Sequence, residues 1–198
     1  MDDRTLVKKT EEFVIKSFTE SIIPETISRG MVRHLLQTRK YLLKLVGDSQ
    51  RDTVPLEIAA LLYGIEKAFR KNKKYSMILK GREDEEKSAI VAEKFLKSKK
   101  APKALIKKVS GLIKKHESAP TKESKILREA DNISFLKNTL PIWFEICLWA
   151  GESKDEIIKS AKKIIDKKYN QIKSKEGRKL AKSYHKKWKN WLEQKELA

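Results

Sequence analysis

Apolar residues recur along this chain at spacings of three and four, the period of helices that bury one face. Over residues 9–23, Phe13, Val14, Phe18 and Ile22 form such a stripe. Over 24–46, Ile27, Met31, Leu35, Leu42 and Leu45 do the same, with Pro24 suited to a first helical turn. GDSQRDTVP (47–55) reads as a loop. LEIAALLYGIEKAF (56–69) predicts one buried helix through Ile58, Leu61, Leu62, Ile65 and Phe69. Gly64 then falls at mid-helix, where glycine costs about 1 kcal/mol relative to alanine.

RKNKKYSMILKGRED (70–84) is polar and predicted irregular. Helices follow at 85–97, carrying Ala89, Ala92, Phe95 and Leu96, and at 103–116, carrying Leu105, Val109, Leu112 and Ile113. Pro102 disfavours helix at the residue before it and separates the two. A turn at ESAPT leads to a helix at 122–137. TLPIWFEICLWAG (139–151), the most apolar stretch, predicts a core helix ended by Gly151. Ser153 and Glu156 have the spacing of a capping box. Two basic helices, 154–173 and 176–195, close the chain, and Leu180, Tyr184, Trp188 and Trp191 make one stripe on the second. With no strand alternation, internal repeat or linker, the pattern predicts a single all-α domain over 1–198.

Composition narrows the class of protein. At 198 residues the chain can bury a substantial core. Its charged share of 37% and hydrophobic share of 39% suit helices with thin apolar stripes and long charged faces. The one cysteine, Cys147, excludes an internal disulfide and lies in an apolar run, the place of a buried inert thiol. No apolar stretch reaches the roughly 18 residues a membrane span needs. The charged N-terminus lacks a signal-peptide core, and a cytoplasmic location is expected. The net charge of +19 attracts phosphates on any carrier, while Lys-rich composition can also reflect a genome or thermal adaptation.

A few polar residues fall on the inward stripes. His34 lies three after Met31. His116 lies four after Leu112, at a helix C-terminus that favours its positive charge. Asp131 lies four after Leu127 and four before Phe135, and a buried acid needs a cation, a metal or hydrogen bonds.

Taken in order, His34, Tyr63-Gly64, His116 and Asp131 resemble the HD superfamily of metal-dependent phosphohydrolases. LEIAALLYGIEKAF, VSGLIKKHE and SKILREADNISFLK are similar to that family's local phrases, and the resemblance spans roughly residues 27–140. It implies an all-α helical bundle with an HD-like core at about 24–150, followed by a basic C-terminal helical hairpin at about 152–196. It also implies metal ligands from a His, a His-Asp pair and a later Asp. Tyr63 and Gly64 stand where the pair is implied. Tyrosine is a poor divalent ligand and glycine offers no side chain, so His34 and Asp131 are left as vestigial ligands. No divalent metal cofactor is expected, and Asp131 is free to pair with His34.

Three functional readings follow. The first is a degenerate HD-fold protein without metal-dependent phosphohydrolase activity, whose cleft binds a phosphorylated small molecule or nucleotide. Its candidate ligand-binding residues are His34, Glu66, Lys67, Arg70, His116 and Asp131, with Arg33 as further positive charge. The second is a nucleic-acid- or ribonucleoprotein-binding module using Lys186, Lys187, Trp188 and Lys189, against the alternative that Trp188 and Trp191 pack inward. The third is a residual or metal-dependent phosphohydrolase, or an enzyme that does without the missing pair and uses Glu66 and His116 as acid and base.

Overall fold

The computed structural model describes residues 2–47, 52–70 and 81–196, and every element among them is helical. α1 (Asp3–Thr19) starts where the Asp2 carboxylate accepts the Thr5 N–H at 2.9 Å, six residues before the sequence pattern places it. It ends before Ile22, which is therefore 53% exposed rather than part of the stripe. α2 (Glu25–Val46) follows Pro24 and runs through the centre of the molecule, packed on α1, α3 (Val54–Leu62), α6 (Lys122–Ser134) and α7 (Leu140–Trp149).

The predicted helix at 56–69 is two pieces. α3 stops at Leu62, Tyr63 and Gly64 form a turn, and Ile65–Phe69 is a tighter 3-10 segment. Gly64 is therefore not a mid-helix glycine. At three residues per turn, a position four after Ile65 lies about 120° around the axis rather than about 40°. Ile65 is accordingly buried, while Phe69 points outward at 51% exposure.

α4 (Gly81–Ser98) and α5 (Lys103–Lys114) pack as a pair across the break at Pro102. The irregular stretch predicted at 70–84 lies largely outside the described residues, and its last residues open α4. α6 begins at a reciprocal cap between Thr121 and Ser124 and continues into α7 through a wide π turn, Phe135–Thr139. Pro141 explains the widening: it lacks an N–H, and its ring clashes with the carbonyl four residues back. α8 (Lys154–Gln171) starts at the predicted Ser153–Glu156 capping box. α9 (Lys175–Glu196) packs on α8, α6 and the π turn. The tail predicted as a basic hairpin is thus docked on the bundle. Cys147 is fully buried, which pushes its thiol up to about 12. No described helix is long and apolar enough to cross a membrane.

Candidate functional site

Five segments deliver six polar side chains to a common point. α2 brings His34, the turn after α3 brings Tyr63, the residues beyond α5 bring His116 and Glu117, α6 brings Asp131, and α8 brings Lys168. The break in the 56–69 helix matters here, because the turn carries the Tyr63 ring into the gap between α2 and α6. The Tyr63 hydroxyl donates to Asp131 Oδ1 at 2.9 Å and lies 2.6 Å from His34 Nε2. A hydroxyl has one proton, so Nε2 must carry the proton of the second bond. His34 Nε2 is also 3.0 Å from Asp131 Oδ1. On the far side of the ring, Nδ1 lies 2.9 Å from Thr139 Oγ1 and 3.0 Å from Ser134 Oγ, both at the π turn. The widened turn thereby fixes the imidazole.

The second carboxylate oxygen of Asp131 accepts from Lys168 Nζ at 2.7 Å, and that ammonium also stands 4.0 Å from Glu117 Oε1. Burial alone would raise the Asp131 carboxyl. The Lys168 charge and the hydrogen bond and charge of His34 outweigh it and hold Asp131 well below the usual carboxylate range. Desolvation would likewise lower Lys168, but Asp131 and Glu117 hold it above the ordinary lysine value. Burial and the neighbouring Asp131 charge push the Tyr63 phenol well above its usual value. The centre is a closed set of complementary charges at neutral pH.

His116 is buried against the Tyr63 ring, with centroids 4.8 Å apart. Its Nδ1 stands 3.0 Å from Glu85 Oε1 but out of line for a hydrogen bond. Its Nε2 is 3.5 Å from Glu117 Oε1. His116, Glu117 and Asp131 offer ligand atoms within 4.8 Å of one another, close enough to share a cation. Lys168 already presents its ammonium there. Lys168 Nζ lies 2.7 Å from Asp131 Oδ2, so a metal held by this set would share Asp131 with that ammonium, and Gly64 has no side chain to add a ligand.

Not all the expected residues converge. His34, His116 and Asp131 do. Glu66 is buried and held by Arg70 at 2.7 and 2.8 Å, and Arg70 also reaches Asp84 at 2.7 Å. Glu66 and Arg70 thus satisfy each other beside the centre rather than within it. Burial works to lower the Arg70 guanidinium, but Glu66 and Asp84 raise it. An acid–base pair of Glu66 with His116 has no basis in this geometry, since His116 faces Glu85 and Glu117. Lys67 does reach the cavity wall, although it also lies 3.4 Å from Glu66 Oε1. Arg33 is exposed on α2. Trp188 is 7% exposed and donates its Nε1–H to the Leu136 carbonyl at 2.6 Å, so it offers no stacking face. In the π turn that carbonyl's partner five residues on would be Pro141, which has no N–H to give. Trp191 stacks edge-on against Phe144 and Trp188. Lys186, Lys187 and Lys189 remain exposed on α9.

Lys168, Glu117 and Glu85 escaped the sequence reading. Lys168 lies four after Ile164, which puts it near the buried stripe of α8, but nothing in DKKYN distinguishes it from Lys167.

The centre forms the floor of a cavity of about 980 Å³. One wall is apolar, built from Met31, Leu35, Phe135, Trp143, Ile146 and Ile164. Exposed Lys114, Lys115 and Lys167 stand around the opening together with the exposed acid Glu86, while Asp84 and Asp131 of the same cavity are paired with Arg70 and Lys168 and Glu117 lies 4.0 Å from Lys168 Nζ.

No known family model matches this chain, and no curated protein or solved structure is significantly similar to it.

Proposed function

We propose that this protein binds a phosphorylated small molecule, a nucleotide in the first instance, in the cleft above Asp131, without metal-dependent phosphohydrolase chemistry. The observation that carries the reading is the Tyr63 hydroxyl seated between His34 and Asp131, with Lys168 on the other carboxylate oxygen. A fixed side-chain cation takes the place that hydrolysis would require for a metal and its activated water. The resemblance of the ordered polar positions to HD phosphohydrolases supports the same view, of a cleft kept after its metal chemistry was lost. Phe135 and Trp143 belong to the apolar side of the cleft, which suits the uncharged part of such a ligand. Lys114, Lys115 and Lys167 supply positive charge for phosphate at the mouth, which suits a pocket with a few convergent polar groups.

A thermal-shift screen over nucleotides, phosphosugars and their unphosphorylated counterparts tests the proposal, because a ligand selective for the native state raises the melting temperature. Phosphorylated members should stabilise the protein and their unphosphorylated counterparts should not. The exposed pair Lys115→Glu with Lys167→Glu should fold normally and lose the response. Equal stabilisation by both classes, or by none, rejects the proposal.

A further inference from the structure

A second concavity, of about 770 Å³, lies away from the cleft, where α1 and α4 flank the 3-10 segment Ile65–Phe69. Phe13, Phe69, Val91 and Phe95 line its floor. Phe69 is half exposed, an unusual setting for a phenylalanine that the pitch of the 3-10 segment turns outward. Four lysines, Lys9 and Lys16 from α1 and Lys94 and Lys99 from α4, stand around this floor, with Glu12 as the acid among them.

We propose that this groove docks an acidic amphipathic helix of a partner protein. An apolar trough between two helices suits a helix that lays its apolar side chains inward at i, i+3 or i+4, and i+7. Lys9 and Lys16 are seven residues apart on α1, a span of about 10 Å at 1.5 Å per residue, which matches that two-turn repeat. The lysine rim selects for Asp and Glu flanking the apolar face. A second copy of this chain is disfavoured, because pairing the same face twice would oppose two lysine rims. Stacked nucleobases fit less well: Phe13 and Phe95 already stack on each other at 4.3 Å and 16°, leaving ring edges rather than faces for much of the floor.

The test is selection of a displayed library of helical peptides on the full-length protein, repeated on the double variant Phe69→Asp with Lys94→Glu. Both positions are exposed, and an unchanged melting temperature verifies that the variant folds. The parent should enrich peptides with an apolar stripe flanked by acids. A synthetic representative should bind the variant at least tenfold more weakly than the parent, with affinity falling as salt rises. No enrichment, enrichment of neutral or basic peptides, or equal binding to the variant overturns the proposal. So does groove-dependent binding of an oligo-dT or oligo-U strand in place of the peptide, or self-association of the parent that the variant loses.

Discussion

The Tyr63 hydroxyl lies 2.6 Å from His34 Nε2, across 29 positions of sequence, and donates a hydrogen bond to Asp131 Oδ1 at 2.9 Å. The bond exists because α3 ends one residue earlier and the chain turns before the 3-10 segment. Tyr63→Phe removes the hydroxyl but leaves His34 and Asp131 in their direct 3.0 Å contact. The expected loss is about 1 to 2 kcal/mol of unfolding free energy, within the range for a buried hydrogen bond deleted on one side. Urea denaturation measures it. A loss near zero would mean that the hydroxyl is incidental to the centre.

Asp131→Asn leaves the Lys168 ammonium facing a neutral amide. Breaking a buried ion pair from one side costs about 3 to 5 kcal/mol, and that deficit is expected at pH 7. Its pH dependence has a definite sign. The Asp131 carboxyl is held below its unfolded value, so its contribution is present above about pH 4, the ordinary aspartate value, and falls away as pH drops through the folded one. Lys168 is held above its ordinary value, so its contribution is present at and below about pH 10 and is lost as pH rises through the folded value. The stability gap between parent and Asp131→Asn should therefore be full at pH 7 and narrow below pH 4. A gap independent of pH between 7 and 3 would show that the aspartate acts through shape rather than charge.

Gly64 and Gly30 should respond oppositely to alanine. Gly64 has φ −120°, open to any residue, and an added Cβ would meet Leu35 Cδ2 at an ordinary 3.8 Å. Gly64→Ala is expected to be neutral or stabilising by up to about 1 kcal/mol, through the smaller entropy of the unfolded chain. At Gly30, where α2 closes on α7, an added Cβ would come within 2.5 to 2.8 Å of three Ile142 side-chain carbons. Gly30→Ala is expected to cost about 1 to 3 kcal/mol, the usual penalty for overpacking. Thermal melts of the two variants compare them directly, and a Gly64→Ala variant less stable than Gly30→Ala would contradict this account of the turn.

The helical period located His34 and Asp131 correctly, because each falls three or four residues from leucines and methionine that face the core. It could not locate the end of α3. The usual stop signals are a C-terminal glycine in the left-handed region or a following proline, and Gly64 has neither conformation nor neighbour of that kind. With the break unseen, the period places Phe69 inward and counts Glu66 among the residues of the centre, whereas Phe69 is half exposed and Glu66 is held by Arg70. Lys168 was illegible for another reason. A lysine in a lysine-rich helix reads as solvated surface, and only the three-dimensional approach of α8 to α6 shows that this one is drawn in by Asp131. The two possibilities left for Trp188 were separated by a partner that periodicity does not reveal, the Leu136 carbonyl left without a backbone donor by Pro141.

The central claim is that the cleft takes a phosphorylated ligand with Lys168, rather than a metal, as its deep cation. The most direct measurement is the ligand-induced shift in melting temperature with excess chelator and again with added manganese. The account predicts the same stabilisation by a nucleotide in both conditions. Stabilisation that appears only with manganese would contradict it.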